Sequence, residues 1–92
     1  MKRTFTVPEH VIERPLGEKT VLLNLRSGDY YSLNGTGSFF WKGLSKGESL
    51  AQLAGQAQQT FEQPPEVVEA ALMALAGELE RLGLIEPSGE GQ

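Results

Sequence analysis

Across Asn34-Gly35-Thr36-Gly37 the chain changes its hydrophobic period, and that change constrains the fold more than any other feature. On one side, Asp29, Tyr30, Tyr31, Ser32 and Leu33 alternate and are rich in aromatic residues, which suits a strand with one face on a core. On the other, Phe40, Trp41 and Leu44 follow at helical spacing, with Phe39 on the flank. Between them stand side-chain oxygens and permissive glycines, the chemistry of a turn that feeds a helix N-terminus. A strand therefore hands over directly to a helix. That strand is expected to be the last of its sheet, which leaves one row of its backbone N–H and C=O groups free for another chain to pair with.

Upstream of it, residues 1–9 show little periodicity and read as an extended or mobile arm. His10 to Arg14 make a first short strand that Pro15 is expected to stop, and Pro15-Leu16-Gly17-Glu18 is turn-like. Lys19 to Leu25 is the best strand in the chain, with Val21, Leu23 and Leu25 on one face and Thr20, Leu22 and Asn24 on the other. Arg26-Ser27-Gly28-Asp29 then supplies a short loop with a glycine available for positive φ, so the second and third strands should form an antiparallel hairpin.

Downstream, a short helix over 36–44 is closed by Ser45-Lys46-Gly47, and Ser49 with Gln52 three residues later resembles a capping box. The second helix so opened carries Leu50, Leu53, Ala54, Ala57 and Phe61 on one side. Pro64 and Pro65 separate it from a third, in which Pro65 in the first turn costs no hydrogen bond and Glu66 suits the positive end of the dipole. Val68, Leu72, Leu75, Leu79 and Leu82 form one continuous apolar stripe, and Gly83 fits a left-handed cap. Leu84 and Ile85 should lie back on the core or add a strand, and residues 87–92 are expected to be disordered. The class implied is α+β: a winged-helix-like domain over 10–86, with a three-stranded antiparallel sheet followed by three helices.

Charge weighs against the commonest function of that outline. Residues 1–47 hold seven Lys/Arg against four Asp/Glu, a balance of +3, whereas residues 48–92 hold one against eight, a balance of −7. A DNA-reading helix needs cations for phosphate and Arg, Lys, Asn or Gln for base edges. The third helix offers Glu66, Glu69, Glu78 and Glu80 with Arg81 alone, so no nucleic-acid partner is expected. Catalysis is equally poorly supplied: there is no cysteine, and the single histidine, His10, sits beside the first strand with no nucleophile to activate. The glycines at 35 and 37 lack the Lys-Ser/Thr of a phosphate loop, and without His or Cys support a metal site is a poor bet, so no cofactor is expected. No apolar run approaches a membrane span and the N-terminus lacks the apolar core of a signal peptide, which makes a soluble cytoplasmic chain the default.

From Val21 to Ile85 the chain resembles the PqqD-like family of peptide-recognition domains, which serve pathways that modify ribosomally made peptides. The resemblance rests on Val21-Leu22-Leu23-Asn24, on Tyr30-Tyr31-Ser32-Leu33-Asn34-Gly35-Thr36-Gly37-Ser38 running to Trp41, on the capped second helix after Gly47-Glu48-Ser49, and on Leu79, Leu82, Gly83, Leu84 and Ile85 at the close. Size, Tyr30-Tyr31 and Trp41 are most similar to stand-alone leader-binding proteins of lasso-peptide pathways. Asn24-Leu25-Arg26 stands where a Pro-Glu marks PqqD itself, which weakens a role in pyrroloquinoline quinone biosynthesis as a peptide chaperone for a radical-SAM enzyme. The resemblance implies a non-catalytic protein, split from its protease, that captures a precursor's leader as a further strand along the third strand. The leader's anchors are typically a Tyr and a Pro a few residues apart, and the partner a cysteine leader peptidase or other modifying enzyme. The implied binding residues are Asp29, Tyr30, Tyr31, Ser32 and Leu33 on the strand, with Val67, Val68, Ala71, Leu72 and Leu75 on the third helix. Tyr31 and Leu33 are expected to face inward. Val68, Leu72 and Leu75 read first as core, and Val67 and Ala71, at the edge of the stripe, as the better cleft candidates. An accessory subunit docking on a larger enzyme is the rival reading.

Overall fold

The computed structural model describes residues 3–88. Its elements in chain order are β1 (Phe5–Thr6), β2 (Val11–Leu16), β3 (Lys19–Asn24), β4 (Tyr30–Leu33), α1 (Gly35–Ser45), α2 (Leu50–Phe61), α3 (Pro65–Arg81) and β5 (Glu86–Pro87). β2, β3 and β4 form an antiparallel sheet in that order, and β1 pairs with β5 in a separate two-stranded ribbon. The three-stranded sheet followed by three helices is the α+β architecture expected.

Register determines which backbone groups remain free. Asn24 N–H donates to the Asp29 carbonyl and Leu25 N–H to that of His10, so Asn24/Asp29 and Leu25/His10 are hydrogen-bonded positions. Antiparallel pairs alternate between bonded and non-bonded. Given Leu22↔Tyr31 and Thr20↔Leu33, these pairs are bonded, and the N–H and C=O of Tyr30 and Ser32 turn away from β3. On the opposite side, Pro15↔Thr20 is a non-bonded pair, so the nitrogen of Pro15 faces off the sheet. This corrects the expectation that Pro15 stops the first strand: at an outward position on an edge strand a proline removes no ladder bond, and the strand runs on to Leu16. Gly17, at φ 64°, then turns the chain into β3 within two residues.

The faces of β3 also differ from a simple reading of its hydrophobicity. Thr20, Leu22 and Asn24 are buried under the helices, while Val21 and Leu23 are half-buried on the outer side and Leu25 is exposed. Asn24 explains the inversion. Its Nδ2 donates to the Leu82 carbonyl at 3.1 Å, and its Oδ1 accepts from the N–H groups of Arg26 and Ser27 at 2.9 and 3.3 Å. One polar side chain thus ties the β3–β4 turn to the end of α3, where Gly83 takes the left-handed cap (φ 76°).

At the other end of β4, Asn34 is the N-cap of α1 without a side-chain capping bond; the corner is held by buried Ser38, whose hydroxyl lies 3.2 Å from the Leu33 carbonyl. Phe40, Trp41 and Leu44 of α1 enter the core with Leu22 and Leu33. α1 and α2 pack closely because Gly43 has no side chain: a Cβ there would overlap the Leu53 Cδ2 methyl. The Ser49/Gln52 capping box opens α2 as expected, and the next free donor, Leu50 N–H, reaches the Arg3 carbonyl. The segment read as an arm therefore contributes to the fold. Phe5 is buried, Phe5–Thr6 pairs with Glu86–Pro87, and Leu84 and Ile85 lie in the core between. Of the tail expected over 87–92, residues 89–92 lie outside the described residues.

Candidate functional site

β4 is an edge strand of the sheet, and the N–H and C=O groups of Tyr30 and Ser32 project from that edge. Side chains alternate across it. Tyr31 and Leu33 face the helices, Tyr31 half-buried and Leu33 in the core, while Tyr30 (75 % exposed) and Ser32 lie on the outer face. α3 packs against α2; its C-terminal end shares one recess with the start of β4, and a second recess opens farther along α3, beside α1 and α2.

The first recess, of about 360 Å³, lies between the start of β4 and the end of α3 and is lined by Asn24, Asp29, Tyr30, Tyr31, Glu78, Leu82 and Leu84. Its buried members are Asn24 and Leu84, and Glu78 also pairs with Arg81 at 2.7 Å. The second, of about 310 Å³, lies where α1, α2 and the start of α3 meet and is lined by Thr36, Phe40, Ala57, Phe61, Gln63, Val67, Val68 and Ala71. Phe61 is fixed there by an edge-to-face contact with Phe39, centroids 5.3 Å apart. At 1.5 Å rise per residue, the segments of α3 lining the two recesses are roughly 16 Å apart, a distance an extended peptide covers in about five residues.

The ten residues expected on sequence grounds separate accordingly. Asp29, Tyr30 and Tyr31 line the first recess, and Val67, Val68 and Ala71 the second. Val67 (50 % exposed) and Ala71 are the open positions, whereas Val68 is 5 % exposed. Leu33 and Leu72 are wholly core, Leu75 packs half-buried against it, and Ser32 offers the edge its backbone rather than its side chain. Sequence reasoning did not find Glu78 and Leu82, which extend the Val67–Ala71 stripe at helical spacing, nor Asn24, Thr36 and Phe61, which come from other elements. Among the described residues there is no group of His, Cys, Asp or Glu suited to a metal ion, and no helix is long and apolar enough to cross a membrane.

The fold has solved counterparts. Over 90 % of this chain and 98 % of the other, with 28 % identity and a TM-score of 0.83, the fold matches a lasso peptide synthetase B1 complexed with the leader peptide. It also matches TbiB1 in complex with the TbiA(beta) leader peptide, over 95 % of this chain and 99 % of that one, with 22 % identity and a TM-score of 0.82, a likeness of fold alone. No curated protein matches the chain significantly. The sequence model of coenzyme PQQ synthesis protein D matches residues 19–85, from the first residue of β3 to the core residue Ile85, and the chain belongs to the PqqD family.

Proposed function

We propose that this chain is a non-catalytic carrier that captures the leader region of a ribosomally made precursor peptide as a strand added to β4. It then presents that peptide to a leader peptidase of lasso-peptide maturation. The observation that carries this reading is the outward row of N–H and C=O groups at Tyr30 and Ser32, with one recess at the start of that row and a second farther along α3. Main-chain bonds to that row supply affinity with little demand on sequence, and the recesses select side chains. Their separation suits two anchors a few residues apart, such as the Tyr and Pro expected of a lasso leader. That two solved structures of the same fold are leader-peptide complexes supports it.

The family model's description, coenzyme PQQ synthesis protein D, favours a second reading in coenzyme synthesis; the resemblance to PqqD implies that the chain would then be a peptide chaperone for a radical-SAM enzyme. Both readings require peptide capture, which a fluorescence-anisotropy titration with the labelled leader of the cognate precursor tests. Saturable binding in the micromolar range or tighter, absent with a scrambled leader, is expected. A folded chain that ignores the leader would refute capture and favour an accessory subunit that docks on an enzyme without peptide.

A further inference from the structure

The side of the sheet turned away from the helices carries a surface that peptide capture would touch only along its β4 margin. Opposed residues in the register share a face, so Ile12, Leu23 and Tyr30 form one row across all three strands, with Arg14, Val21 and Ser32 in the next and Leu16 and Lys19 beyond. No element of the chain packs over this face among the described residues. Leu16 and Tyr30 are 61 % and 75 % exposed, and Ile12, Val21 and Leu23 are only half-buried. Its charged members, Arg14 and Lys19, are both cations, in a chain whose net charge is −4.

We infer that this outer face is the docking surface for the enzyme that processes the captured leader, engaged through an apolar patch rimmed by carboxylates; the inference rests on the reading of β4 as a peptide-capturing edge. Charge sign selects such a partner and opposes back-to-back pairing of two copies, which would bring Arg14 and Lys19 of each against those of the other. In an added strand, the residues opposite Tyr30 and Ser32 share their face, so those side chains of the leader extend the Ile12–Leu23–Tyr30 and Arg14–Val21–Ser32 rows respectively, while the residue between them enters the cleft beside Tyr31. An enzyme on this face touches carrier and leader together, and the surface is complete only when the leader is bound.

The test is a double variant, Ile12→Thr with Arg14→Glu, on the strand farthest from the peptide edge. Biolayer interferometry measures binding of the full chain, empty and leader-loaded, to the purified leader peptidase of the same pathway, with leader anisotropy and sedimentation alongside. Expected are wild-type binding at least about threefold tighter when loaded, a loss of about tenfold or more in the variant, and leader affinity unchanged. Equal peptidase affinity for variant and wild type, no peptidase binding by loaded wild type, or a self-association that the variant abolishes would each overturn the inference. If the wild type binds no leader, peptide capture fails; a variant-sensitive peptidase complex of the empty chain would still support the docking face, and its absence would remove that too.

Discussion

Replacing Ser32 with proline separates the peptide edge from the fold. The Ser32 N–H points off the sheet, so the substitution removes a donor that no strand among the described residues uses. The protein already tolerates a proline in the equivalent situation, at Pro15 on the opposite edge. Captured peptide would lose one main-chain hydrogen bond, worth about 1 kcal/mol net, and its carbonyl opposite the pyrrolidine ring would be left without a donor at a cost of about 1–3 kcal/mol. The total of about 2–4 kcal/mol corresponds to roughly 30- to 1000-fold weaker binding. Leader anisotropy reads the loss, and circular dichroism and thermal melting check that the fold persists. Ser32→Ala, which keeps the N–H and alters only an outward side chain, should bind within about twofold of wild type. Tyr31→Pro should instead unfold or loosen the sheet, because the Tyr31 N–H faces Leu22. Native melting of Ser32→Pro with undiminished leader affinity would refute strand addition at β4.

Other substitutions probe the second recess, the α1–α2 contact and the β3–β4 turn. Ala71→Glu sets a carboxylate at the rim of the apolar recess formed by Phe40, Phe61 and Val67, and should weaken leader binding by about tenfold or more without lowering the melting temperature, since Ala71 is exposed in the free protein. Gly43→Ala forces a methyl group into Leu53; the overpacking of about 1–3 kcal/mol should lower the melting temperature by roughly 5–20 °C. Asn24→Asp keeps the acceptor for Arg26 and Ser27 but removes the donor to the Leu82 carbonyl, and should cost about 1–3 kcal/mol in urea unfolding.

Local chemistry made much of this fold legible. The capping box at Ser49, the proline at the start of α3, the left-handed Gly83 and the aromatic entry of α1 are signals that act within one turn of chain, and each stands in the structure as read. What escaped was set by partners distant in sequence. Leu23 and Val21 are more hydrophobic than Thr20 and Asn24, yet the core face of β3 is the one holding Asn24, because its amide has a carbonyl to satisfy at residue 82. Phe5 stands in an aperiodic segment whose place depends on pairing with residues 86 and 87. In the cleft, the edge strand and the exposed flank of α3 were readable, but the recesses are completed by side chains such as Thr36, Phe61 and Leu84, and only the assembled fold sets these beside that flank.

The two edges of the sheet are not alike, and their difference fixes a valence. Along β2 the outward groups belong to Val11, Glu13 and Pro15; the Val11 N–H is already taken by the Pro8 carbonyl and Pro15 has none, which leaves Glu13 alone with a donor. That edge is poorly furnished for pairing. Growth of the sheet is favoured from β4, where both Tyr30 and Ser32 present an N–H and a C=O. On the proposed reading the chain takes one guest strand at a time, and its poorer β2 edge disfavours stacking into a ladder of its own copies, a useful property in a protein whose task would expose an unpaired strand edge in every unloaded molecule.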